Sequence, residues 1–337
     1  MLKHKTKMEG AARTFSSYQT LRSNLLSPTR VRELSRLQPW RVVVDSALCW
    51  VGIVLAWSVV AVWPAWWSVM LAIPLVGTRY YALFIIGHDG LHRRLFSNTV
   101  HNDRFADLVV FGPIGAITRL NNRNHIRHHR LLATEADPDR HKHGCFNKTR
   151  PIELVSFLLG ISSLLRSLRN VFGSRPNVVP EQAHKTRRYT SVDLCILVGW
   201  QLALIGGLTA SIGFWAWPTL WLAPVYVFAF LGDNARSFVE HSHPEPDPIA
   251  DRHRLITVTS NVIERRFFAP MHMNFHAAHH LWPSIPYYNL PLAEREMREL
   301  PASQLIEYRS SYCGYLWRYF SALPLTSCRK HDAAEAP

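Results

Sequence analysis

The chain has 337 residues, enough for one large domain or two ordinary ones, and 48% of them are hydrophobic. Its formal net charge of +14 raises nucleic acid as a partner, but no nucleic-acid-binding motif stands in it. Very apolar stretches alternate with basic, His-rich ones, which favours a membrane whose anionic headgroups attract the basic flanks. The five cysteines form no CxxC pair, so no disulfide framework or thiolate metal site is expected.

Residues 1–41 are strongly basic and read as a cytoplasmic N-terminal tail. They carry no apolar core of a cleavable signal peptide. Residues 42–63 form an apolar run about long enough to span a bilayer, stopped by Pro64. A second run, 65–87, opens with Trp66 and Trp67 as interfacial aromatics. The two make a helical hairpin with almost no loop. Arg79 in the second run is costly in lipid unless it snorkels or pairs, and Asp45 is a candidate partner. This helix should continue past Gly87 and carry His88 and His92 into the cytoplasm.

Residues 105–117 are apolar but too short to span, which suggests a re-entrant or interfacial segment. A polar, basic stretch, 118–150, holds His125, His128 and His129. Residues 151–172 read as an amphipathic helix on the membrane surface, followed by a basic loop to 190. Third and fourth spans are expected over 192–212 and 219–239, the last delivering Glu240 and His241 to the cytoplasm. Residues 244–254 are a proline-rich charged loop. The region after it holds His276, His279 and His280 and ends in a basic tail. The short outer connections near Pro64 and Gly213 lack Lys and Arg, so the positive-inside rule places both termini and every His cluster in the cytoplasm. The expected fold is therefore all-α and integral to the membrane, with four transmembrane helices in two hairpins beneath a cytoplasmic His-rich cap. Its parts are a tail over 1–41, one domain over 42–300 and a C-terminal cytoplasmic tail over 301–337.

The histidines carry the chemistry. His88 and His92 stand in HDGLH; His125, His128 and His129 in HIRHH; His276, His279 and His280 in HAAHH. Residues three and four apart share one helical face, so each cluster can aim its imidazoles at one point. One such cluster is common in proteins without a metal; three, two of them repeating HxxHH, point to a metal. Eight imidazoles exceed what one tetrahedral zinc needs and suit two ions. Soluble di-iron proteins use inward Glu residues and Glu-x-x-His motifs in a bundle. Here Glu181-x-x-His184 follows Pro180 and Glu240-x-x-His243 runs into Pro244, so neither fits that pattern. His241 arrives at the membrane surface as a ninth ligand. His272, four residues before His276, is a further ligand or supporting group. Asp89, Glu240, Asp137 and Asp139 are carboxylates placed to fix imidazole tautomers.

The motifs HDGLH, HIRHH followed by EADPDR, RSFVEH and NFHAAHHLWPSIPYYNLP resemble the membrane fatty acid desaturase family, over roughly residues 83–291. The same three-box pattern also covers carotenoid ketolases and hydroxylases and some alkane hydroxylases. The resemblance implies a non-haem di-iron centre that uses O2 as co-substrate and two electrons to remove two hydrogens from an unactivated acyl chain or related lipid. It carries over to His88 and His92, to His125, His128 and His129, to His276, His279 and His280, and to His241. Some animal acyl-CoA desaturases have Asn four residues before that last histidine; here Ser237 stands there, so neither a water-mediated ligand nor acyl-CoA follows.

Such a substrate offers no polar handle and must be gripped by shape near attack geometry. Phe84, Tyr81, Tyr80 and Gly77, upstream of His88, are candidates for lining its tunnel. No HPGG haem motif, GxGxxG loop or iron–sulfur cysteine set is present, so no bound haem, flavin or NAD is expected. Electrons would come from a separate ferredoxin or cytochrome b5-type donor with its reductase, steered by the basic cytoplasmic surface. Two other readings remain open: a di-iron hydroxylase or ketolase of a carotenoid or other lipid, and a membrane metal transporter or sensor.

Overall fold

Proline and tryptophan punctuate the apolar part of the chain. In the computed structural model, which describes residues 21–132, 136–139, 142, 150–162, 165, 189–242 and 255–323, α1 (Pro39–Val62) begins with proline at its first turn, where the missing N–H is no loss. It stops two residues before Pro64, and Ser68 Oγ bonds the carbonyls of Trp63 and Ala65 at 2.6 and 2.7 Å to lock the reversal. α2 (Trp66–Leu91) returns antiparallel to α1 and carries the first histidines at its end. A side chain at Gly52 would meet the Arg79 stem at 3.3 Å, so that glycine makes room for arginine between the helices. Asp45 accepts from the Tyr287 hydroxyl, so it ties α1 to the cap.

Thr99–Ala106 is helical, and a wider π-helical turn, Asp107–Phe111, and a 3-10 turn, Gly112–Ile114, then carry the chain back up through Gly115 at φ 77°. Such a segment leaves carbonyls outside the regular i→i−4 ladder, and lipid cannot satisfy them. Donors from three long helices do so. Trp200 reaches Leu108 O at 2.8 Å, Trp50 reaches Val109 O at 3.0 Å, and the Tyr80 hydroxyl bonds Val110 O. Asp107 accepts from both the backbone N and the hydroxyl of Thr118 at 2.6 Å, which starts α3 (Thr118–Leu131). The short apolar segment is thus a buried wedge that aims α3 at the end of α2.

Pro151–Leu158 is helical, but the surface helix expected over 151–172 turns at Gly160, φ 70°, where the Phe230 ring occupies the space a side chain would need. Residues 166–188 of that stretch, with Glu181 and His184, lie outside the described residues, as do His243 and the 244–254 loop. α4 (Ser191–Ser211) is capped by Thr190 and Asp193. With α1 and α2 it is one of three helices, among the described residues, long and apolar enough to cross a membrane. The fourth expected span is a helical run over 216–241, broken into wider π-helical turns at Pro218–Leu222 and Val225–Leu231 before its last segment, α5 (Gly232–His241).

The body does not end at residue 300, as the sequence suggests. β1 (Ile256–Val258) pairs in parallel with β2 (Glu307–Arg309), with Thr257 opposite Tyr308. Between them lie α6 (His276–Leu281) and the helix Leu290–Arg298, whose face buries Leu290, Ala293 and Met297. α7 (Tyr312–Ala322) follows, and Tyr312 is fully buried. Tertiary pairing, invisible to local pattern, makes 301–323 structural. The described part of the N-terminal region docks likewise. Pro28–Leu34 is helical, and Leu21, Leu25, Leu26 and Leu34 pack with Trp282 and Leu281.

Candidate metal centre

α2 brings His88 and His92 up one turn apart, and the wedge fixes α3 beside them with His125, His128 and His129 on one face. α5 ends at His241, and the six-residue α6 presents His276, His279 and His280. The rings sort into two groups that cut across the sequence motifs. The potential ligand atoms of His88, His92, His125, His129 and His279 all lie within 4.8 Å of one another, as do those of His128, His241 and His280. His276 joins the second group, its Nε2 3.1 Å from His241 Nε2. The groups adjoin, with His129 and His280 stacked at 4.2 Å.

These distances suit cations. Metal–imidazole bonds of about 2.0–2.1 Å place neighbouring ligand nitrogens about 3.0–3.4 Å apart. The Nε2 atoms of His125 and His92 are 2.8 Å apart, and those of His129 and His125 3.2 Å. Both ring nitrogens of His279 and of His280 are buried without a hydrogen-bond partner among the described residues. Buried polar atoms are rarely left so, and with His279 in one group and His280 in the other they fit a metal at each. Burial first, and nearby positive groups second, hold His125, His129, His276, His279 and His280 well below the usual imidazole range, and His92 at about 3. Those six rings are therefore held neutral, the state in which imidazole binds metal.

The carboxylates are unevenly placed. Asp137 Oδ1 accepts from His128 Nδ1 at 2.9 Å, with both side chains buried, which turns His128 Nε2 toward the second group. Glu240, fully buried, has Oε2 3.3 Å from His276 Nδ1 and accepts there from Arg236 at 2.7 Å. Asp139 pairs with Lys142 at 2.9 Å. Asp89 accepts from Tyr287 N at 2.7 Å, so it holds the end of α2 to the loop after α6. His272 belongs to neither group: Met271 and His272 take the left-handed conformation, α6 starts only at His276, and the His272 ring is exposed.

A cavity of about 320 Å³ opens against the rings of His88, His125, His128, His241, His276 and His280. Phe84, Leu91, Phe111 and Ala116 line its apolar side, and Asn121, Asn124 and the Lys142–Asp139 pair its polar side. Ser237 lines it too. Of the four tunnel candidates, Phe84 alone lines this cavity. The Tyr80 hydroxyl caps Val110 O and that of Tyr81 bonds Phe268 O at 2.8 Å. Gly77 faces Phe228, whose ring would lie 2.2 Å from a Cβ there. Sequence reasoning missed Asn121 and Asn124 as cavity residues, although each precedes a box histidine by four and so shares its helical face. It also missed Arg309 and Tyr312, which no local signal marks.

Long apolar helices under a cap of nine inward imidazoles define a membrane-associated metalloprotein. The sequence pattern of the family described as "Fatty acid desaturase" matches residues 64–312, and the chain belongs to that family of oxidoreductases. It is 24% identical over 256 residues to a beta-carotene ketolase of Paracoccus sp. (strain N81106 / MBIC 01143), covering 71% of this chain and 88% of the ketolase. It is 23% identical over 310 residues to an sn-1 oleoyl-lipid 12-desaturase of Arthrospira platensis, covering 86% and 83%.

Proposed function

We propose that this chain desaturates a fatty acyl chain or related lipid at a histidine-held di-iron centre. One observation carries the reading: two adjoining groups of imidazoles, each with its ligand atoms within 4.8 Å of one another, on the wall of one cavity. His88, His92, His125, His129 and His279 would hold one iron, and His128, His241, His276 and His280 the other. Imidazole serves several metals; the family and the need for a redox-active ion favour iron over zinc. With both irons bound, the centre supplies O2 reduction, in which two substrate hydrogens, two electrons and two protons leave with O2 as two waters.

The chain's own residues do the rest. Phe84, Leu91, Phe111 and Ala116 grip the apolar segment beside the rings and exclude water from it. Asp137 holds the proton on His128 Nδ1, and the Glu240 carboxylate stands beside His276 Nδ1, 3.3 Å away. The run over 216–241 serves as a fourth span, and the positive-inside pattern puts the histidine cap and both termini in the cytoplasm. There a ferredoxin or cytochrome b5-type donor, with its reductase, reaches the basic surface. A second reading is oxygen insertion on a carotenoid or other lipid, favoured by the ketolase relative. Mass-spectrometric profiling of host lipids, with the chain and with its His279→Ala variant at matched expression, separates the outcomes. A product two mass units lighter, lost in the variant, supports desaturation. Products carrying added oxygen support the second reading, and an unchanged profile in cells with a working donor refutes both.

A further inference from the structure

Beyond the histidines, the region from β2 to the start of α7 makes three buried contacts with the second histidine group. Arg309 is 4% exposed and donates to Val239 O and, at 2.6 Å, to Ser242 O. Those two carbonyls bracket Glu240 and His241 at the end of α5, where helix carbonyls lack partners of their own and a cation is favoured. The guanidinium is fixed in turn by Glu307 at 2.6 Å and by the Tyr315 ring, 3.9 Å away. Tyr312, fully buried, donates to Glu240 Oε1 at 2.7 Å, while Oε2 accepts from Arg236 and lies 3.3 Å from His276 Nδ1. β2 also pairs with β1, and Val258 of β1 exchanges bonds with Asn274, two residues before His276, at 3.0 and 3.1 Å. None of these bonds reaches α2 or α3, which carry four of the five rings of the first group.

We infer that Arg309 and Tyr312 are positioning residues for one of the two metals only: they hold His241 and His276 in place, and their loss costs the second metal while sparing the first. The inference rests on the two-iron reading above. A buried arginine and a buried phenol are costly unless partnered, and here their partners are the backbone and carboxylate that orient two ligands. Groups that orient ligands are worth about 10–100-fold in metal affinity.

The test uses the full chain, iron-loaded in lipid nanodiscs, with iron counted after a graded chelator challenge and its environment read by Mössbauer spectroscopy. Arg309→Ala and Tyr312→Phe should retain one iron per chain at chelator concentrations where the parent keeps two. The second should be released at about 10–100-fold lower chelator, with one of two spectral components fading. Arg309→Lys, which keeps a donor, should recover part of the loss. Ser311→Ala, which removes the α7 cap and the bond to Glu264 without touching α5, should lower the melting temperature but keep both irons. Tyr312→Phe removes a single oxygen, so it reports even where Arg309→Ala fails to fold. Retention of both irons at the parent's chelator sensitivity in Tyr312→Phe overturns the inference, as does equal loss of both components. A parent that binds no iron overturns the two-iron reading instead.

Discussion

Asp137→Ala tests whether the metal site depends on the carboxylate that orients His128. The Asp137 oxygen lies 2.9 Å from His128 Nδ1, and the two side chains are 0% and 3% exposed. Removing the acceptor leaves a buried N–H without that partner, which costs about 1–3 kcal/mol. It also lets the proton move to the nitrogen that faces the second group. Loss of such an orienting partner weakens metal binding about 10–100-fold, or about 1.4–2.7 kcal/mol. Asp137→Asn keeps an oxygen at the same place without the charge and should fall between the two. The assay is iron retained by purified protein across a chelator series, with melting temperature measured in parallel on metal-free protein. Metal-free stability lowered by no more than about 1–3 kcal/mol, with iron lost at about tenfold lower chelator or less, is the expected result. Iron retention equal to the parent's in Asp137→Ala would refute the orienting role and with it the placement of His128 as a ligand.

Gly77→Ala should destabilise the protein, because the new methyl meets the Phe228 ring at 2.2 Å and overpacking of this kind costs about 1–3 kcal/mol. Phe228→Ala in the same chain should recover part of the melting temperature, and the product profile should not change, since Gly77 does not line the cavity. Metal-free protein should lose stability on acidification. The buried imidazoles have folded-state values below the usual 6.5, so the unfolded chain takes up protons first as pH falls. Their contribution is complete above pH 6.5 and lost progressively toward pH 3, the value for His92. A denaturation midpoint that stays flat from pH 7 to 5 contradicts the neutral-imidazole account.

Much of the site is legible in the sequence because its geometry is local. HIRHH and HAAHH put three rings on one face by helical spacing alone, and His241 follows from where the last apolar run ends. Group membership is not legible. His279 joins His88 and His125, whereas His276 and His280 flank His241, because α6 inserts between α2 and α5. Of the tunnel candidates Phe84 lines the cavity, and the other three stand elsewhere for a physical reason. Tyr80 and Tyr81 serve backbone carbonyls of the wedge and of the helix that ends at Phe268, and no periodicity reveals that demand. His272 shares the spacing of a helical ligand but sits in a left-handed turn after Pro270. The C-terminal boundary slips because β2 is three residues long and owes its existence to β1 and Arg309's partners.

The most direct measurement is the metal content of the purified parent chain from iron-supplied cells, by elemental analysis with Mössbauer spectroscopy. Two groups of imidazoles, each with its ligand atoms inside 4.8 Å, predict two irons per chain, lost together with activity in His279→Ala. One zinc and no iron, or a single iron unaffected by that variant, would contradict the account.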